Sequence, residues 1–417
     1  MINHPNNGLP VNDRKLLVIE NLNFYINGEH ILRDIGFEAG KGEFIGLIGP
    51  NGAGKTTLLK CINGINKAAG HVEIWGANLK AMSAGTVAGK IAMLHQDTAI
   101  TFPFSSLDIV LTGRYHQLGR LKSESRSDYN MARRHMEFTD TLKFETRQIN
   151  TLSGGERQRV LFAKVLAQET ELILLDEPSA SLDIAHEEQI FKYSAELRQN
   201  GKTVIAAVHD LKTAMRFCTR MILMKDGRII ADGTPEAVVT QANLSEAYGV
   251  NALVYRNRIS GLLDFHLLGH TEKGRIIKVH VIGGGGSASG VIRQLFEKGF
   301  NVTAGVFAHG DSDLGCTEVF SVQALVCQPF SEIDEEAMMR NIEKIKAADI
   351  TILCDMPFGQ QNMRNLEAAA KASKLVIIEN GNPEGRDFTG GKALALYNEL
   401  KEGAIVIEAA RLHEVLP

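Results

Sequence analysis

The chain has 417 residues, enough at about 150 per domain for two or three domains and for a core that needs no metal or disulfide staple. Forty-five Lys and Arg against 49 Asp and Glu leave a net charge of -4, which excludes wholesale coating of nucleic acid. The five cysteines form no CxxC pair, which argues against a zinc ribbon or a disulfide framework and for a reducing, cytoplasmic setting.

Residues 1–14 read as a polar tail without the apolar stretch of a signal peptide, and no apolar run is long enough to cross a membrane. From Leu16 to about Tyr255 short apolar runs alternate with helical patterns, the mark of parallel α/β architecture. The spacing predicts buried strands over Phe44–Ile48, Leu172–Leu175 and Thr203–Val208.

Behind the first strand stands Gly49-Pro50-Asn51-Gly52-Ala53-Gly54-Lys55-Thr56, a full GxxxxGKT, with Thr57 opening a helix-forming stretch. Glycines let backbone N–H groups curl around phosphate oxygens, and a helix N-terminus adds its positive dipole. Lys55 can reach the β- and γ-phosphates, and the Thr56 hydroxyl can ligate Mg2+.

The polar, charge-rich stretch from about 97 to 160 lacks buried-strand runs and reads as a mostly helical insertion. At its end Leu152-Ser153-Gly154-Gly155-Glu156 supplies a second Gly-rich helix start. It is either an ordinary capped helix or donors for the γ-phosphate of a nucleotide held by another subunit. Asp176 and Glu177 emerge from the end of the Leu172 strand, the first suited to Mg2+ through water, the second to orienting the attacking water.

These motifs together resemble the ATP-binding cassette (ABC) ATPases over about residues 16–255. The resemblance implies an ATP-hydrolysing enzyme with Walker A at Gly49–Thr56, Walker B at Leu172–Glu177 and the family signature at Leu152–Glu156. It further implies that Gln96 is the Q-loop glutamine, sensing Mg2+ and the transmembrane partner. Ser181-Leu182-Asp183 would be the D-loop, and His209 the switch histidine at the γ-phosphate. Glu177, His209 and Gln96 are thus the expected catalytic set, with Thr56, Gln96 and Asp176 around Mg2+. The family stacks an aromatic on adenine just upstream of Walker A; Tyr25 is the candidate, although spacing from Leu32 puts Ile26 in that slot.

Thr101–Arg114, Asp232–Thr240 and Leu244–Val250 resemble one importer branch, that of iron–siderophore, haem and cobalamin uptake. That branch implies a homodimer beneath membrane permease subunits, held at the inner face of the membrane through them and fed by a separate binding protein. Phe102 and Phe104 are candidate permease contacts. Cargo stays open among the three classes, with iron chelates foremost. The alternatives are a soluble ABC ATPase outside transport, or a nucleotide-gated module serving an enzymatic or sensory second domain.

Residues 256–274 read as a linker or hairpin, and 275–417 as a smaller Rossmann-like α/β domain with strands over Ile276–Ile282, Val302–Phe307, Ile350–Cys354 and Leu375–Ile378. Gly283-Gly284-Gly285-Gly286-Ser287 after the first of these is a weak GxGxxA-type loop, equally suited to cradling a phosphate or to tight strand–helix packing. Asp311 or Asp313 would be the accompanying acid. A small-molecule sensor is the leading role for this half, with dimer stabilisation close behind.

Overall fold

A computed structural model describes residues 15–96, 100, 102–118, 123–178, 184–257, 260–268, 277–320 and 322–416. The chain divides into two compact units, 1–249 and 250–417. The break falls ahead of the boundary expected near residue 255, because 251–256 pairs with 263–268 as a hairpin of the second unit.

In the first unit the strands are β1 (Lys15–Ile26), β2 (Glu29–Gly40), β3 (Phe44–Ile48), β4 (Ala69–Ile74), β5 (Ala77–Asn78), β6 (Ile91–Leu94), β7 (Leu172–Asp176), β8 (Thr203–Ala207), β9 (Arg220–Lys225) and β10 (Arg228–Gly233). β2-β1-β4-β5 form an antiparallel sheet, and β10-β9-β3-β8-β7-β6 a second one in which only β10 runs antiparallel to its neighbour. β3, β7 and β8 are buried along their whole length, as strands covered on both faces must be, hence their unbroken apolar runs. Leu17, Leu32 and Ile74 of the antiparallel sheet and Leu47, Leu58 and Ile62 beneath the phosphate loop share one core, which fixes that loop between two sheets.

Between β6 and β7 the described residues contain helices and no strand: Ser106–Leu111, Arg126–Phe138 and Gly154–Ala167. Each begins at a serine (Ser105, Ser125, Ser153) whose side chain accepts from the third helical N–H, with the reciprocal acid at Asp108, Asp128 or Glu156. No helix among the described residues is long and apolar enough to cross a membrane.

The second unit opens with the antiparallel hairpin β11 (Asn251–Arg256) and β12 (Leu263–Leu268). Its main sheet contains β13 (Lys278–Ile282), β14 (Asn301–Ala308), β15 (Gln323–Cys327), β16 (Ile350–Leu353), β17 (Leu375–Ile378) and β18 (Ile405–Ile407). All six are parallel, in the order β15-β14-β13-β16-β17-β18. This is the doubly wound order, with the direction of winding reversing between β13 and β16.

Candidate nucleotide site

The site lies where β3, β8 and β7, neighbours in the sheet, end at their C-terminal edge. Gly49 leaves β3 at φ 144°, and a Cβ there would stand 2.1 Å from the Met224 carbonyl oxygen, so only glycine fits. Gly54, at φ 99°, caps the helix Lys55–Ile62 in the left-handed region. A cavity of about 470 Å3 opens over this turn, bordered by Asn51–Thr57 together with Gln96, Glu177 and His209.

Lys55 is buried and donates to the carbonyl oxygens of Gly49 at 2.7 Å and Pro50 at 3.1 Å. Burial pulls its pKa below the ordinary lysine value, while Glu177 and Asp176 oppose that shift. The Thr56 hydroxyl donates to Asp176 at 2.7 Å. Asp176 is almost fully buried, and its pKa is raised chiefly by that burial. A hydroxyl, a carboxylate and the amide oxygen of Gln96 are the hard oxygen donors that suit Mg2+.

Glu177 sits in the left-handed region at φ 48°, where a non-glycine residue is uncommon. Its carboxylate is held from two sides: the Gln96 amide donates at 2.6 Å, and His209 Nε2 lies 2.5 Å from its other oxygen. Gln96 follows β6, Glu177 follows β7 and His209 follows β8, so residues far apart in sequence meet on one carboxylate. Such a carboxylate can accept a proton from water, and the imidazole can relay or stabilise the charge.

Tyr25 does not border the cavity. It stacks on His30, its cross-strand partner, with ring centroids 4.2 Å apart, and remains 56% exposed. Ile26 and Ile31 border the cavity instead. The β1–β2 register shifts between Phe24 and Tyr25, which resets the facing of the residues after it. The apolar contribution of Ile31 had no signal in the sequence.

Ser153 is exposed and caps its helix through Glu156, with Ser153 N donating to Glu156 Oε2 at 2.9 Å. Leu152–Glu156 takes no part in the cavity over Gly49–Thr56 of the same chain. A Cβ on Gly155 would come within 2.8 Å of the His186 ring, whereas Gly154 faces open space. Ser181, Leu182 and Asp183 lie outside the described residues.

In the second unit Gly283–Ser287 does not offer an open phosphate cradle. Asp313, fully buried, accepts from the N–H groups of Gly286 (3.1 Å), Ala288 (3.1 Å) and Ser289 (2.8 Å) and from the Ser289 hydroxyl (2.6 Å). Asp311 accepts from Gly285 N–H at 3.0 Å, and the Gly284 N–H turns back to the Ser287 hydroxyl at 3.3 Å. A Cβ on Gly283 would lie 2.5 Å from the Ala288 Cβ, so this glycine serves close strand–helix packing.

Residues 32–180 match the ABC transporter family, and residues 302–413 match the MJ0874 family, which places a known family on the half that motif reading left without one. The chain is 32% identical over 375 residues to the cobalamin import ATP-binding protein BtuD of Halobacterium salinarum, covering 89% of this chain and 94% of that protein. It is 36% identical over 241 residues to the hemin import ATP-binding protein HmuV of Deinococcus radiodurans, covering 57% and 91%. Among solved structures, the inward-facing form of a transporter described as metal-chelate type superposes with a TM-score of 0.54 at 27% identity, over 61% of this chain and 98% of that one. A phosphate loop facing a clamped Walker B glutamate, on a chain alike to BtuD nearly from end to end, has one reading: the protein belongs to the ATP-binding proteins of ABC transporters and is an ATP hydrolase.

Proposed function

We propose that this chain is the motor subunit of a cobalamin importer. The observation that carries the cargo is length. The match to BtuD runs over 375 residues and must continue well into the second unit, which begins at Val250. Relatives named for hemin, manganese and ferric enterobactin match over 233 to 248 residues, about the length of the first unit. The two-unit build is thus shared with a cobalamin-named protein, which displaces iron chelates as the leading cargo.

In this reading Thr56, Asp176 and Gln96 hold Mg2+, which when bound neutralises charge on the phosphate oxygens. Lys55 leaves its carbonyl partners for the phosphates. Glu177 orients water and takes its proton, with His209 and Gln96 fixing the carboxylate. The exposed Ser153 helix start, outside the cavity over its own phosphate loop, caps the nucleotide of a second copy. ATP bridges the two copies, so it shifts their population toward a closed pair.

A permease would receive that closure at the helical insertion. Phe102 and Phe104 are 67% and 50% exposed rather than packed inside it. A groove of about 710 Å3 is bordered by Met82, Val87 and Met93 and also by His95, the neighbour of Gln96. An extracytoplasmic binding protein would deliver the cargo to the permease.

The test is uptake of radiolabelled cyanocobalamin and of a ferric siderophore by source cells carrying Glu177→Gln at the native locus. Cobalamin uptake should disappear while siderophore uptake persists. Unchanged cobalamin uptake, or loss of siderophore uptake alone, would overturn this cargo.

A further inference from the structure

The second unit contains a crevice of about 270 Å3, bordered by the loops that follow β13, β14, β15 and β16. It therefore sits at the C-terminal edge of the sheet, beside the point where the winding reverses, the place where open α/β sheets take ligands. Its size lies just below the about 300–1,000 Å3 of drug-sized sites, so it suits a small ligand and cannot enclose a corrin ring.

Two carboxylates define the chemistry. Asp313 already occupies the donors at the start of the helix Ser289–Glu297, with four hydrogen bonds from the loop and helix. A phosphate brought there would find its donors taken and a buried negative charge behind them. Among the described residues, those bordering the crevice include no Lys, Arg or His, and Arg386, whose guanidinium lies 5.0 Å from the Phe358 ring, is paired with Asp355.

Asp311 stands just past β14, the second strand of the winding, from which an acid reaches ribose hydroxyls in this fold. Its Oδ1 accepts from the Asp313 N–H at 2.9 Å and the Gly285 N–H at 3.2 Å, and its Oδ2 shares the Gly285 N–H at 3.0 Å. A carboxylate has about four lone-pair sites, so one on Oδ2 remains for a sugar hydroxyl. Asp311 and Phe388 both border the crevice, and Phe388, 73% exposed, offers an apolar face for a flat base. Phe330, the chain neighbour of the crevice residue Ser331, carries a left-handed φ of 58°, and its carbonyl oxygen accepts from the Gln361 amide at 3.2 Å, which ties the loop after β15 to the loop after β16.

We propose that this crevice binds an uncharged nucleoside, a ribose hydroxyl on Asp311 and its base against Phe388, and rejects the 5′-phosphorylated form. This site is separate from the ATP site and stands whether or not the cargo is cobalamin.

The test is equilibrium dialysis of the full chain, saturated with MgADP to fill the first unit, against radiolabelled adenosine, guanosine, cytidine and uridine. At least one nucleoside should bind saturably at one site per chain, and its 5′-monophosphate at least tenfold more weakly. Asp311→Asn should weaken binding at least tenfold. Phe388→Ala, at a position too exposed to matter for folding, should also weaken it. Failure of all four nucleosides to bind overturns the proposal. So does equal affinity for nucleoside and monophosphate, or wild-type binding by both variants.

Discussion

His280 gives the second unit a measurable pH dependence. It lies fully buried on β13, its Nδ1 2.8 Å from the Thr303 hydroxyl and its Nε2 2.9 Å from Asn341 Oδ1. Because the Asn341 amide nitrogen donates to Asn365, its oxygen must accept, so the imidazole carries its proton on Nε2 and accepts from Thr303 on Nδ1. Both nitrogens are satisfied in the neutral ring. Burial, helped by the Lys344 charge and opposed by Asn341, lowers the pKa from the ordinary 6.5 to about 4. The sign follows: the unfolded chain takes up this proton first as pH falls, so stability is intact above about 6.5 and is lost between there and about 4. At about 1.36 kcal/mol per pH unit the loss is about 3 kcal/mol at pH 4 and about 2 kcal/mol at pH 5.

Calorimetry can isolate this effect, since the transition that MgATP shifts upward belongs to the first unit and the other to the second. A loss of about 3 kcal/mol lowers Tm by about 6–12 °C in a unit of this size. Other carboxylates titrate in the same range, so the comparison is with His280→Gln, which can still donate to Asn341 but cannot ionise. The wild-type Tm should fall more steeply than the variant's between pH 6.5 and 4. Parallel pH profiles for the two proteins would show that His280 is not held neutral and would refute the reasoning.

At the nucleotide site, Glu177→Gln should cut steady-state ATP hydrolysis at least 100-fold while keeping ATP affinity, read by malachite green and by titration with a fluorescent ATP analogue. Lys55→Ala should instead weaken nucleotide binding in the same titration. Tyr25→Ala should leave ATP affinity within about twofold, since the ring stacks on His30 outside the cavity; Ile26→Asp should weaken it at least tenfold. Gly283→Ala should destabilise the second unit alone by about 1–3 kcal/mol through strain against Ala288, as overpacked sites do, seen in calorimetry as a lower Tm for that unit only.

Local features were legible in the sequence and long-range ones were not. The phosphate loop and β3, β7 and β8 are contiguous patterns, and each follows from what a few neighbouring residues can do. That Gln96 and His209 both grip Glu177 is a matter of strand order, on which sequence spacing is silent; only the family resemblance pointed there. Counting from Leu32 puts Ile26 at the adenine slot, where it borders the cavity, whereas the family's preference for an aromatic points to Tyr25, which the irregular β1–β2 register leaves stacked on His30. β15 and β18 left no signal because they are edge strands, short and partly exposed, without the apolar runs of strands buried on both faces.

The two glycine-rich turns of this chain show what a loop pattern can and cannot predict. Each follows a buried central strand and opens a helix, so backbone donors converge in both. In the first the loop carries its own cation, Lys55, and the approaching acid, Asp176, is engaged by Thr56 at the edge of the turn. An anion meets positive charge and open donors there. In the second, Asp313 arrives from beyond the next strand and takes the donors itself. The glycines determine that the backbone can close around something; the charge delivered by distant residues determines what. A sequence pattern confined to the loop therefore predicts the concavity in both units, and the sign of its occupant only where, as at Lys55, the charge lies within the pattern.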